Sequence, residues 1–288
     1  MPRQTGRGTS YVRPVRPYAP RVSQEGNFEH MTLRASEFYQ PGRTDPFSVI
    51  DDIPERAMVV CAHPDDAEIG TGATVAKWVE RGCEVVYVVC TDGAGGSNDE
   101  GMTSDHIVPV RGEEQTAAAR VLGVKHVIML GHPDGGLEDD RVFRGEIVHA
   151  IRTYRPDTVF CHDPHRINGF QHRDHRMVGT VTADAIYPYA RDHLHFPEQL
   201  KDGLEPHKVR RLMLWGSDHP DVIVDVSGGY VEKQIEALSK HASQVLGLDN
   251  ESSDRPRFGE RLRERSRRAA EGNEFEQGET FRQLIARS

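Results

Sequence analysis

Between residues 57 and 215 the sequence repeats one pattern, in which short apolar runs alternate with longer segments of helical periodicity. The runs are continuous and rich in Val, Ile and Leu, which is typical of strands buried on both faces of a sheet. This alternation predicts an α/β protein with a Rossmann-like, mostly parallel sheet and helices on both faces. The predicted strands are 57–62, 85–90, 127–130, 158–161 and 212–215, and the predicted helices are 70–81, 111–122 and 142–154.

Composition divides the chain into three parts. Residues 1–28 carry five arginines among Pro, Gly and Ser and have almost nothing to bury, which predicts a disordered arm. Residues 29–248 are expected to form a single α/β domain. Residues 249–288 are strongly charged, and we expect them to form a helical C-terminal extension.

Charge and cysteine usage restrict the setting in which the protein works. A formal net charge of -9 and a pI near 5.9 argue against a nucleic-acid partner, because such domains tend to be basic. The four cysteines lie in or beside apolar runs without a C-x-x-C pair, which favours buried thiols in a reducing compartment. Because the sequence also has no signal-peptide core and no long apolar stretch, we expect a cytoplasmic protein without membrane contact.

The stretch AHPDDAEIG places an imidazole and two carboxylates directly after the first predicted strand. Ligands of parallel sheets bind at the carboxyl ends of the strands, so this position favours a functional site. His63 and Asp66 are suitable ligands for Zn²⁺ or a similar divalent ion. The neighbouring Asp65 is suited to act as a base on water.

A further ligand is expected from a second strand end, and the stretch GFQHRDH offers His172 and His175. Their spacing of three residues at a predicted helix start directs both imidazoles to nearly the same side. Asp174 lies between them and is suited to fix a ring tautomer. From the residues alone, either histidine can complete a metal site.

Two simpler interpretations compete with a metal site. The triplet His-Pro-Asp also begins at His132 and His219, and it is a common turn sequence. Asp66 is suited to cap the helix predicted near Gly70. The glycines at 70 and 72 and at 93–96 invite a nucleotide-binding interpretation, although the third glycine of a dinucleotide fingerprint is missing.

Two separated motifs resemble the PIG-L, or LmbE-like, family of zinc-dependent de-N-acetylases. AHPDDAEIG matches the family's A-H-P-D-D-x-E-x-G signature, and HRDH matches its H-x-D-H. Weaker similarities lie in TDGAGGS, VRGEEQTAAARVLGV, LGHPDGGL and KQIEALSKHASQ, so that the resemblance extends roughly from residue 57 to 244. Ala94 departs from the pattern, because many members have Glu there.

The resemblance implies a role for each matching residue. The implied zinc ligands are His63, Asp66 and His175, which hold one ion per chain, with other divalent ions as alternatives. The implied catalytic residues are Asp65 as general base and His172, oriented by Asp174, as the protonated group that stabilises the oxyanion. The implied contacts to the sugar are Arg111 and Asp134.

The activity implied by the resemblance is hydrolysis of the acetamide of an N-acetylglucosamine-type amino sugar or its conjugate. The expected partner is thus a small molecule, and homo-oligomers are expected because family members often form them. One alternative is an amidase that cuts a larger acyl group or a thiol conjugate with the same metal site. Another is a non-catalytic nucleotide-binding module.

Overall fold

The apolar runs form the central strands of an eight-stranded sheet. The structure, a computed structural model, describes residues 47–97, 99–245 and 254–286. The strands are β1 (Ser48–Val49), β2 (Arg56–Cys61), β3 (Glu84–Thr91), β4 (His126–His132), β5 (Thr158–His162), β6 (Arg211–Trp215), β7 (Val222–Asp225) and β8 (Gly278–Ile285). Across the sheet the strand order is β1-β7-β8-β6-β5-β2-β3-β4, and β8 alone among the described strands runs antiparallel to its neighbours.

The helices form two groups on the sheet. The helices are α1 (Asp66–Glu80), α2 (Ser104–Leu122), α3 (Arg141–Tyr154), α4 (Arg173–Asp184), α5 (Pro197–Lys201), α6 (Tyr230–Leu238), α7 (Ala242–Val245) and α8 (Asp254–Ala270), with a π-helical turn at Ala185–Ala190. One group contains α1, which packs against α2 and α6, and the other contains α3 and α4, which pack against each other. Helices of both groups contact β2, as expected for a sheet covered on both faces.

The strand order of the sheet reverses beside β2. The chain continues from β2 to β3 and β4 on one side, whereas β5 and β6 lie on the other side. Met58, Val59 and Val60 of β2 are fully buried, in agreement with the expected strand covered on both faces. Such a reversal opens a crevice at the carboxyl ends of the strands, so the residues after β2 and β5 are placed to bind a ligand.

Helix α1 begins at Asp66, four residues before the expected start near Gly70. Asp65 therefore holds the N-cap position, and the expected alternative of Asp66 as the cap is wrong. The Asp65 backbone has φ 108° and ψ −28°, a left-handed conformation that is costly for a residue with a Cβ. Its side chain makes no capping hydrogen bond, so it is available for other contacts.

The C-terminal residues belong to the sheet. The segment 249–288, expected as a charged helical extension, contains α8 but also β8, which lies between β6 and β7. The described residues accordingly belong to one compact unit. The buried Glu279 of β8 accepts hydrogen bonds from the backbone N–H groups of Ala73 and Thr74 at 3.2 and 2.8 Å, and so fastens β8 to α1.

The segment after α4 is held by one buried cation. Arg152 of α3 is 2% exposed, and burial lowers the pKa of its guanidinium. The group donates hydrogen bonds of 2.8 to 3.3 Å to the carbonyls of Tyr189, Ala190, Asp192, His195 and Phe196 and to Oε1 of Gln199.

One expectation about the chain concerns membrane contact, and another concerns the arm at its N-terminal end. Among the described residues, no helix has both the length and the apolar character needed to cross a membrane. The arm expected at residues 1–28 lies outside the described residues.

Candidate active site

Three side chains from two strand ends meet beside the start of α1. Nδ1 of His63 lies 3.2 Å from Oδ2 of Asp66, and Nε2 of His175 lies 3.3 Å from both His63 Nδ1 and Asp66 Oδ1. His63 and Asp66 follow β2, whereas His175 stands in the first turn of α4. We call this set the donor triangle. It contains the three expected metal ligands.

The donor triangle fits a tetrahedral metal ion. Ligands bound to zinc at about 2.0–2.1 Å with tetrahedral angles lie roughly 3.3–3.4 Å apart. This is close to the separation of the two ring nitrogens and to the distance of each nitrogen from one oxygen of the Asp66 carboxylate, Oδ2 for His63 and Oδ1 for His175. Among the described residues, groups of His and Asp offer ligand atoms within 4.8 Å of one another. These groups are His63, His172 and His175; His63, Asp134, His172 and Asp174; and Asp66, His162 and His175, of which the first and the third each contain two members of the donor triangle.

The second nitrogen of His63 faces another pair of carboxylates. Nε2 lies 3.1 Å from Oδ1 of Asp134 and 3.4 Å from Oδ2 of Asp174. Although burial lowers the pKa of His63, the Asp134 and Asp66 carboxylates raise it to about 10. Each ring nitrogen thus lies near a carboxylate, and without a metal both nitrogens carry a proton. A metal ion bound at Nδ1 would replace the proton on that nitrogen. This supports the metal fit, because a carboxylate at the far nitrogen commonly orients a ligating histidine.

The two carboxylates behind His63 also organise their own loops. Asp174 is fully buried and accepts hydrogen bonds from the N–H groups of Gly135 and Leu137 at 2.7 and 3.3 Å. Asp134 accepts one from the N–H of Gly95 at 3.0 Å, and beside His63 its pKa falls to about 2. Asp134, expected to contact the sugar, therefore has an imidazole and a backbone N–H as its partners here.

Asp65 lies beside the donor triangle without belonging to it. Its N–H donates to Oε1 of Gln115 at 3.0 Å, and its Oδ2 lies 3.3 Å from Nη2 of Arg111. Burial and the adjacent Asp66 carboxylate raise the pKa of Asp65 to about 7. A carboxylate with a pKa near neutrality is suited to accept a proton during catalysis.

Arg111 is buried, with 3% of its surface exposed. Its guanidinium donates to the carbonyls of Pro64 and Gly93 at 2.6 and 2.9 Å, in addition to the contact with Asp65. These partners belong to the loops after β2 and β3. The expected contact of Arg111 with a sugar stays a prediction, while its contacts hold the Asp65 loop.

His172 is the N-cap residue of α4, and its side chain is 45% exposed. Its Nδ1 accepts a hydrogen bond from the backbone N–H of Asp174 at 3.2 Å, whereas the Asp174 carboxylate lies 3.9 Å away. The expected orientation of the ring by that carboxylate is therefore replaced by a backbone contact, because a cap residue turns towards the free N–H groups of its own helix. With Nδ1 accepting, the neutral ring carries its proton on Nε2.

His162 at the end of β5 is a site residue that is not among the expected ligands. Its Nε2 lies 3.4 Å from Oδ2 of Asp66, and its ring stacks on His175 with centroids 3.9 Å apart. Burial lowers the pKa of His162 to about 4, so the ring is neutral at physiological pH. Its position at a strand end was the available sequence signal, but nothing in the local sequence marks its contact with Asp66.

A cavity of about 440 Å³ borders the donor triangle. It is lined by Asp66, His162 and His175 from the site, whereas Asp65, Arg111 and Asp134 do not line it. The remaining wall includes Trp215, Ser217, Arg265 and Glu279. The cavity lies within the size range of about 300–1,000 Å³ that is usual for small-molecule sites.

Comparison with known proteins places this site in a family. Residues 58–186 match the family model described as PIG-L, GlcNAc-PI de-N-acetylase. The chain is similar to the diacetylchitobiose deacetylase of Thermococcus kodakarensis, with 31% identity over 200 residues that cover 69% of this chain and 72% of the relative. It is also similar to the mycothiol S-conjugate amidase of Streptomyces coelicolor, with 33% identity over 220 residues and 69% coverage of each chain.

A solved structure agrees with these sequence relationships. The N,N'-diacetylchitobiose deacetylase of Pyrococcus horikoshii, determined with its inhibitor MPG, superposes with a TM-score of 0.73 at 28% identity. The match covers 82% of this chain and 88% of that structure. Fold and relatives together define a hydrolase of amide bonds in a metal-dependent class. The chain belongs to the PIG-L, or LmbE-like, family, which confirms the resemblance and the α/β fold expected from the sequence.

Proposed function

We propose that the protein is a zinc-dependent hydrolase that removes the acetyl group from an N-acetylglucosamine-type amino sugar or its conjugate. The observation that carries the proposal is the donor triangle of His63, Asp66 and His175 with the separate carboxylate of Asp65 beside it. The deacetylase relatives support the choice of an acetamide as substrate.

The donor triangle would hold one zinc ion per chain. Two imidazole nitrogens and one carboxylate are a usual ligand set for catalytic zinc, although other divalent ions also accept it. When bound, the ion would polarise the amide carbonyl and make water more acidic. The Asp134 carboxylate lies 3.1 Å from Nε2 of His63 and would orient the ring, so that the other nitrogen, Nδ1, faces the ion.

Asp65 acts as the base in this proposal. Its carboxylate accepts a proton from the attacking water and later delivers a proton to the departing amine. Arg111 lies 3.3 Å from Oδ2 and therefore orients the carboxylate. The Gln115 contact with the Asp65 N–H limits movement of the loop that carries it.

His172 donates a hydrogen bond to the oxyanion that develops from the amide carbonyl. Because Nδ1 accepts the Asp174 N–H, Nε2 bears the proton even in the neutral ring. Burial and the neighbouring His63 lower the pKa of His172, which favours this neutral donor over the protonated one expected from the family resemblance. The roles of Arg111 and Asp134 towards the sugar hydroxyls remain part of the proposal.

Acetate release from a panel of N-acetylated amino sugars tests the function directly. N-acetylglucosamine, diacetylchitobiose and glucosaminide conjugates would each be incubated with protein before and after chelation, and with zinc restored. We expect acetate from at least one conjugate, loss of activity in the chelated protein and recovery with zinc. His175→Ala should abolish metal binding and activity, whereas the exposed neighbour His165→Ala serves as the matched control. Release of no acetate from any member would refute the proposal.

A second candidate is an amidase that removes a larger acyl group. The cavity of about 440 Å³ beside Asp66 and His175 has room for a substituent larger than an acetyl group. The amidase relative from Streptomyces coelicolor supports the same chemistry. Rates across acetyl, butyryl and hexanoyl amides of one amino sugar would separate the two candidates, and Ser217→Phe should slow only the longer chains if they occupy the cavity.

We further propose a cytoplasmic protein that forms homo-oligomers. The four free and buried cysteines support a reducing compartment. Light scattering at micromolar concentration tests the assembly.

A further inference from the structure

The backbone N–H of Asp65, which lies in the left-handed conformation, donates a hydrogen bond to a buried amide. Gln115 of α2 is fully buried, and its Oε1 accepts the Asp65 N–H at 3.0 Å. Because an N–H can only donate, the amide oxygen must face Asp65, and the Nε2 group is left to face the other way. The orientation of the Gln115 amide is thus determined by its surroundings.

The opposite side of this amide is equally well defined. Nε2 of Gln115 donates to Oε1 of Glu68 at 2.8 Å, and Glu68 is itself fully buried. Oε2 of Glu68 lies 3.4 Å from Nε2 of His241, another fully buried residue. Gln234 of α6 donates to the Glu68 carbonyl at 2.8 Å. The amide therefore connects the Asp65 loop to a fixed framework of α1, α2 and α6.

We propose that Gln115 is a positioning residue that determines the orientation of the Asp65 carboxylate, an inference that rests on the proposed function. Consecutive residues point in different directions, so rotation of the Asp65 backbone redirects its carboxylate relative to that of Asp66. The hydrogen bond from the Asp65 N–H holds the peptide plane before Asp65, and the Ile69 N–H holds the Asp65 carbonyl at 3.0 Å. Together they set φ at 108°, where a residue with a Cβ does not remain without support. Within the described part of the chain, the Gln115 side chain makes its hydrogen bonds to Asp65 and Glu68, and it does not line the cavity of about 440 Å³.

Replacing Gln115 with methionine tests the inference, because Met has similar length but neither donates nor accepts strongly. We expect Gln115→Met to lower kcat about 10- to 100-fold, with KM within about threefold and the zinc content unchanged. Gln283→Met, the same change on β8, is the matched control and should leave all three values unaltered. Unchanged kcat in Gln115→Met, or loss of zinc in proportion to kcat, would overturn the inference.

A double-variant cycle separates positioning from general support of the fold. In an Asp65→Asn background the group to be positioned is gone, so adding Gln115→Met should lower the residual kcat by less than about twofold. A purely structural role predicts the same fractional loss in both backgrounds, and that result would also reject the inference.

Hydrogen exchange provides a test that does not depend on activity. Loss of the Gln115 contact should speed exchange in a peptide that covers residues 63–69, whereas Gln283→Met should not. If the wild-type protein cleaves no amide but exchange responds as expected, the proposed function fails while the hold on the Asp65 backbone stands. Unchanged exchange in Gln115→Met would show that Gln115 does not hold the loop.

Discussion

The adjacent carboxylates of Asp65 and Asp66 should respond in opposite ways to the same substitution. Asp66 lies 3.2 and 3.3 Å from the facing nitrogens of His63 and His175, whereas Asp65 contacts Arg111 and Gln115. Asp65→Asn keeps the shape and the backbone contact but removes the base. We expect kcat to fall about 10²- to 10⁴-fold, equivalent to about 3–5 kcal/mol in activation free energy, with zinc retained.

Asp66→Asn should show the reverse order of effects. The amide removes the negative charge from the donor triangle, so zinc affinity falls first and added zinc restores part of the activity. Metal content by mass spectrometry and turnover by acetate release would be measured on the same preparations. An Asp65→Asn protein that turns over normally, or one that loses its zinc, would show that the two roles are assigned wrongly.

His172, Arg152 and His63 each make contacts whose loss should have a measurable effect. His172→Ala should retain zinc and lower kcat about 10²- to 10³-fold, measured beside His165→Ala. Arg152→Met leaves five carbonyls between Tyr189 and Phe196 without this donor and should lower the free energy of unfolding by about 3 kcal/mol in urea titrations. In zinc-free protein the pKa of His63 is raised to about 10, so the protonated ring stabilises the fold. This stabilisation should be complete below about pH 6.5 and should be lost as the pH rises through 10. It is measured as the difference in the free energy of unfolding between the wild type and His63→Gln.

Much of the fold could be predicted because its signal is local. The five strands from β2 to β6 match the predicted apolar runs to within one residue where the predicted run extends past a strand end. The start of α4 was equally predictable, because His172 and His175 lie within one helical turn. The order of β2 and β5 in the sheet, which brings these segments together, depends on long-range pairing.

The parts that could not be predicted depend on contacts between distant segments. Asp65 adopts a conformation that only Gln115 and the surrounding loops support, so local propensity placed the start of α1 too late. Strand β8 has a charged and mixed sequence, and its pairing with β6 and β7 is the interaction that makes it a strand. Asp134 belongs to a common turn triplet, and its position behind His63 is visible only in three dimensions.

Strand β8 has a consequence for the order in which the protein can be assembled. Strand β8 is inserted between β6 and β7, which are synthesised before it. A nascent chain that has been synthesised only as far as residue 277 therefore leaves one edge of β6 and one edge of β7 unpaired. The same residues supply Glu279, which holds the helix that begins with Asp66. Catalytic competence and protection from aggregation should therefore arise together, late in synthesis, and a truncation within residues 278–285 should yield insoluble chains rather than a soluble enzyme of reduced activity.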